Sequence, residues 1–156
     1  MTNKIIFLDF DGPMIPCRAW ILGRNKSKLE KMDPIAVATI LAAVKCGPAK
    51  LVISSAWRTH ETDTKTCLVE NGISLDHLHD DWRTKHLVNH NIARRPEEIK
   101  EWLGRHPEVD TWVVVDDAKM EIENFVHCSM FDGMSHDNQL DLLHKLDIDP
   151  HKTVND

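Results

Sequence analysis

A chain of 156 residues with 42% hydrophobic and 28% charged content has the length and character of one soluble domain, 1–156, and is neither fibrous nor of low complexity. No apolar run approaches the roughly 18 residues that a membrane span needs, so no membrane partner is expected, and a cytoplasmic setting without a leader is. The net charge of −6 opposes tight nonspecific nucleic-acid binding, yet nine Lys/Arg face four Asp/Glu in residues 1–58 while ten face twenty-one in the remainder.

Lys4-Ile5-Ile6-Phe7-Leu8 is a short apolar run ending at Asp9, which reads as a buried parallel strand broken by Gly12-Pro13. Residues 14–32 mix Pro16, Gly23 and basic side chains without periodicity and predict a loop or small hairpin. Asp33-Pro34 combines an N-cap with proline at the first helical position. The helix it opens runs to about Lys45, with Ile35, Ala38 (or Val37), Ile40, Leu41 and Val44 on the apolar side, and Gly47-Pro48 ends it. A second strand, Lys50–Ile53, ends in Ser54-Ser55. Helical sequence from about Arg58 to Glu70 stops at Asn71-Gly72, a left-handed C-terminal signal. Residues 73–92 give no clear element. A third helix runs from Pro96 to about His106 with Ile99, Trp102 and Leu103 inward. Thr111–Val115 is a strand ending in Asp116-Asp117, and a shorter strand is expected over Val126–Phe131. Ser135 caps a final helix with Leu140, Leu142, Leu143 and Leu146 as its apolar residues, and the tail from about Asp149 reads as frayed.

Strands alternating with helices define an α/β fold with a mainly parallel sheet and right-handed crossovers. Sites in such sheets form beyond the carboxyl ends of the strands, where this sequence puts Asp9/Asp11, Ser54/Ser55 and Asp116/Asp117. In Asp9-Phe10-Asp11-Gly12, two carboxylates at a strand end can enter one cavity, one as nucleophile and metal ligand, the other as general acid and base; an exposed acidic turn is the alternative. Asp116-Asp117 repel each other unless a cation or donors compensate, and with Asp9 they offer the oxygen ligands that suit Mg²⁺; alone, the pair reads as a helix cap. Ser54 can bind phosphate oxygens through its hydroxyl and the following N–H groups, or be a plain turn residue. Arg94-Arg95 either neutralise phosphoryl charge or form a solvated pair.

The runs FLDFDG, VISSAWR, RRPEEIKEWL and VVVDD, in that order over residues 5–117, resemble the haloacid dehalogenase (HAD) superfamily of phosphohydrolases. SSAWR with R-x-x-E-I-x-x-W-L is more narrowly similar to small HAD domains associated with nucleic-acid repair. The resemblance implies a three-layer Rossmann-like core, with Asp9 forming an aspartyl-phosphate and Asp11 protonating the leaving oxygen and then activating water. It further implies Mg²⁺ held by Asp9, the Asp11 carbonyl and the fourth-motif acids, Asp117 directly and Asp116 in support, with Ser54, Ser55 and Arg95 on the phosphate. Pro13 departs from the usual Thr or Val and bears on the flap after the nucleophile. Only about 42 residues separate Asp11 from Ser54, too few for a helix and a sizeable cap domain. An open site of that kind implies phosphorylated RNA or DNA ends as substrates, with nucleotides or other small phosphates, or a noncatalytic binding module, as the alternatives. No obligate protein partner is evident.

Arg24, Lys26, Lys28, Trp57 and Arg58 are candidate substrate contacts, and Trp20 and Trp57 candidate stacking platforms; Trp102 and Trp112 read as core. His86 and His90 have the i,i+4 spacing of two zinc ligands, but no Cys or Glu completes a recognised pattern around His77–Asp81, and polar structural roles fit better. Four widely spaced cysteines without a CxxC pair predict free thiols.

Overall fold

Ile5, Ile6, Phe7 and Leu8 are buried on both faces of their strand, which makes β1 (Lys4–Leu8) the centre of the sheet. In the computed structural model, which describes residues 3–21, 31–87 and 94–153, five parallel strands lie in the order β3-β2-β1-β4-β5. They are β2 (Lys50–Ile53), β3 (Leu78–Arg83), β4 (Thr111–Asp116) and β5 (Phe125–His127), together with β1. Phe7 stands opposite Val52 on one side and Val114 on the other. The α/β expectation holds, and every strand pairing is parallel.

Alternation along β1 sends Ile6 and Leu8 to one face and Ile5 and Phe7 to the other. The first face meets α2 (Pro34–Cys46), α3 (Glu61–Glu70) and α5 (His136–Lys145) through Ile40, Leu68 and Leu142. The second is covered by α4 (Arg95–Arg105), where Ile99 and Trp102 pack on Phe7, Val52 and Val114. Trp102 meets Phe7 edge-on with ring centroids 5.3 Å apart. Trp112 is only partly buried against this second cluster. All four cysteines are free thiols, and burial pushes that of Cys128 up to about 12, with Asp116, Asp117 and Asp9 adding to it.

Several elements differ from the expectation. The unread stretch 73–92 contains the edge strand β3 preceded by a 3₁₀ turn, Leu75–His77. The helix expected from Arg58 is two pieces, a 3₁₀ turn Ala56–Thr59 and then α3, separated at His60. The loop expected after Met14 includes α1 (Cys17–Ile21), whose first two N–H groups donate to the carbonyls of Met130 and Phe131. The last strand stops at His127, because Ser129–Gly133 forms a turn closed by reciprocal backbone bonds. The tail expected to fray contains α6 (Pro150–Thr153). Asp33 precedes α2 as expected, but its carboxylate takes a 2.6 Å bond from Arg18 instead of capping the helix. Ser135 does cap α5, in a reciprocal capping box with Asn138. Among the described residues, no helix is long and apolar enough to cross a membrane.

Candidate active site

β1, β2 and β4 are adjacent and parallel, so their carboxyl ends bring residues distant in sequence to one edge of the sheet. Asp9 is fixed by its N–H donating to the Val115 carbonyl (3.0 Å), and Ser54 by its N–H donating to the Leu8 carbonyl (3.1 Å). After Asp9 the chain turns sharply: Met14 and Ile15 both donate to the Phe10 carbonyl, and Gly12 donates to the Ile15 carbonyl. The missing N–H of Pro13 therefore removes no bond from this turn. Gly12 has φ +103°, and a Cβ there would lie 2.6 Å from Asp117 Cγ. Glycine lets the loop after Asp9 approach Asp117.

One oxygen each from Asp9, Asp116 and Asp117 falls within 4.8 Å of the others. Arg95, at the start of α4, donates to Asp116 Oδ2 at 2.7 Å and lies 3.6 Å from Asp9 Oδ1. Three carboxylates against one guanidinium leave the cluster negative. Burial, then the charge of Asp116, pushes the Asp9 carboxyl well above its ordinary range, with Arg95 opposing and a hydrogen bond to Asp117 adding. Asp116 is raised by burial despite Arg95. Burial lowers Arg95, but Asp116 and Asp9 outweigh it and hold the guanidinium above its usual value. Hard oxygen donors crowded around residual negative charge fit Mg²⁺. Both Asp116 oxygens accept hydrogen bonds, Oδ2 from Arg95 and Oδ1 from the Ala118 N–H (3.0 Å).

Asp11 is exposed at the mouth of the site, and the Trp57 indole N–H donates to its Oδ2 at 3.2 Å. Partial burial raises the Asp11 pKa, while the Trp57 bond pulls the other way and Asp117 adds to the rise. Trp57 is thus placed against the carboxylate itself, its ring 5.4 Å from that of Phe10. Ser54 is fully buried, and its hydroxyl has no hydrogen-bond partner among the described residues. The Ser55 hydroxyl accepts from the Trp57 N–H and caps the 3₁₀ turn.

Arg58, a candidate substrate contact, has a side chain that is 4% exposed and held inward. Nη1 donates to the carbonyls of Ser54 (3.0 Å) and Ser55 (2.8 Å), and Nη2 to Glu98 Oε2 (2.7 Å), with His86 Nδ1 at 2.9 Å. Glu98, the glutamate of the R-x-x-E-I-x-x-W-L run, also accepts from the Leu87 N–H (3.0 Å). This pair links the end of β2 to the helix that presents Arg95. Glu98→Ala should therefore cost about 3–5 kcal/mol by stranding a buried guanidinium. Urea unfolding measures this, and a loss below about 1 kcal/mol would contradict it.

His86 joins this network rather than a helical metal face, and residues 84–87 are not helical. His90, Arg24, Lys26 and Lys28 lie outside the described residues, as does the side chain of Trp20. Arg94 is paired with Glu97 at 3.4 Å. A second cluster, His79, His106 and Glu108, lies far from the acids at the other end of the sheet. There His79 Nδ1 accepts the Asp81 N–H, so the neutral ring carries its proton on Nε2 and offers no lone pair to a metal.

An open parallel sheet with a carboxylate-lined, arginine-braced edge defines an α/β domain of the HAD type. Residues 5–138 match the family described as the HAD domain in Swiss Army Knife RNA repair proteins, and the chain belongs to that family. No curated protein and no solved structure matches the chain.

Proposed function

We propose that the protein is a Mg²⁺-dependent phosphomonoester hydrolase acting on phosphorylated nucleic-acid ends through an aspartyl-phosphate. The observation that carries this reading is the convergence of Asp9, Asp116, Asp117 and Arg95 at one sheet edge. Asp9, Asp117 and the Asp11 carbonyl would hold the ion, which supplies charge neutralisation for the transferring phosphoryl group. Arg95 keeps Asp9 oriented and adds positive charge toward the phosphate. An Asp9 oxygen attacks phosphorus. Asp11, whose raised pKa favours keeping a proton, gives it to the leaving oxygen and then accepts one from the water that attacks the aspartyl-phosphate. The unpartnered Ser54 hydroxyl suits a phosphate oxygen.

The nucleic-acid part of the reading is supported by the family and by the absence, among the described residues, of an inserted domain between Asp11 and Ser54. Turnover of p-nitrophenyl phosphate should vanish in EDTA and return with Mg²⁺. A 3′- or 5′-phosphorylated oligonucleotide should show a higher kcat/KM than the matching mononucleotide, with the gap shrinking as salt rises. Full activity in EDTA would sink the metal assignment. Mononucleotides winning at every salt concentration would shift the substrate class to small phosphates.

A further inference from the structure

A basic cavity of about 290 Å³ lies along the outer edge of the sheet and takes no part in the chemistry above. Arg58, Arg83, Thr84, Lys85, His86 and Arg105 line it, against Asp81 as the single acid in the lining. Three of the cations are partly compensated: Arg58 by Glu98, Arg105 by Asp81 and Glu101, and Lys85 by Glu101. Lys85 is 62% exposed and stands 3.6 Å from Glu101. Arg83 makes no ion pair among the described residues. Its Nη1 donates to the Arg58 carbonyl, and its guanidinium sits 4.8 Å over the Trp82 ring, fixed in place while its charge remains available.

A second observation points to a ligand. Thr84 is 3% exposed, and among the described residues neither its Oγ1 nor the buried Arg58 Nε has a hydrogen-bond partner. A buried hydroxyl and a buried N–H without partners, beside surplus positive charge, are groups that the oxygens of an anion satisfy. The place is also informative. The Thr84 N–H donates to the Ile53 carbonyl (3.2 Å), and Arg58 grips the Ser54 and Ser55 carbonyls, so the cavity wall is continuous with the end of β2. β3 lies two strands from β1, about 10 Å across the sheet. That is within reach of an extended strand of a few nucleotides.

Building on the hydrolase reading, we infer that this cavity is a second anion subsite that holds a backbone phosphodiester of the strand whose terminal phosphate meets Asp9. Its recognition is of charge and shape rather than base, as phosphate contacts are. Such a subsite favours a polynucleotide over a mononucleotide, which has no second phosphate to place there.

The test is fluorescence anisotropy with a labelled, hydroxyl-ended RNA oligonucleotide, which needs no turnover and so stands apart from the phosphatase assay. Arg83→Gln/Lys85→Gln should weaken binding about tenfold at low salt and reduce the slope of log K against log salt by about 0.7, the value for one single-strand phosphate contact. Thr84→Val, which removes a buried unpartnered hydroxyl and should not lower the melting temperature, should also weaken binding. Inorganic phosphate at the oligonucleotide's own concentration should leave the complex intact. Unchanged affinity in both variants, or equally potent displacement by inorganic phosphate, would overturn the inference.

Discussion

Asp9→Asn is expected to abolish hydrolysis, with turnover falling below about one part in 10⁴, because an amide has no anionic oxygen to attack phosphorus. The same substitution should stabilise the metal-free protein. Burial and Asp116 hold the Asp9 carboxyl well above its ordinary pKa. For a group raised in the folded state, the associated stability is fully present below the unfolded pKa near 3.9 and is lost as pH rises through the folded value. In the metal-free site ionising Asp9 is therefore unfavourable, a cost that Asn removes while leaving the Arg95–Asp116 bond intact. A gain of about 1 kcal/mol corresponds to roughly 2–4 °C in melting temperature. It should narrow toward acidic pH and shrink when Mg²⁺ is added to the wild type. Thermal melts in EDTA from neutral to acidic pH would show it. An inactive variant that melts lower than wild type would attribute the loss to folding.

Asp11→Asn is the second large effect. Proton transfer is worth about 10²–10⁴ in rate, and the variant should lose that much on substrates with poor leaving groups such as an oligonucleotide hydroxyl. With p-nitrophenyl phosphate the departing oxygen needs little protonation, so the first step should survive while the second, which needs a base for water, should stall. The Trp57 indole bonded to Asp11 Oδ2 places the carboxylate without charging it. Pre-steady-state rates of leaving-group release on the two substrates separate the steps, and an equal loss of that first step on both would contradict the acid role.

The central strands were legible because a strand buried on both faces is a continuous apolar run, as in Lys4–Leu8 and Thr111–Val115, and each ends at acids of the candidate site. β3 was not, because an edge strand of sequence LHDDWR has little apolar signal beyond Leu78 and Trp82. The apolar face of α2 was misread for a related reason. Thr39 points inward, donating to the Ile35 carbonyl and accepting from Gln139, so the buried stripe is Ala36, Thr39, Ile40, Ala43 and Val44, while Ile35 is 50% exposed. Leu140 likewise faces solvent on α5. At the site, acids at strand ends follow from topology alone. The inward pairing of Arg58, a candidate substrate contact, is not legible because its partner, Glu98, stands 40 residues away and becomes its neighbour only through folding.

The most direct measurement is a rapid-mixing experiment with the Asp11→Asn protein, p-nitrophenyl phosphate and Mg²⁺, followed by acid quench and peptide mapping. A nucleophilic Asp9 predicts a burst of p-nitrophenol stoichiometric with enzyme and phosphate retained on the peptide that contains Asp9. A burst that persists when Asp9 is also changed to Asn, or phosphate recovered on a different residue, would contradict the mechanism.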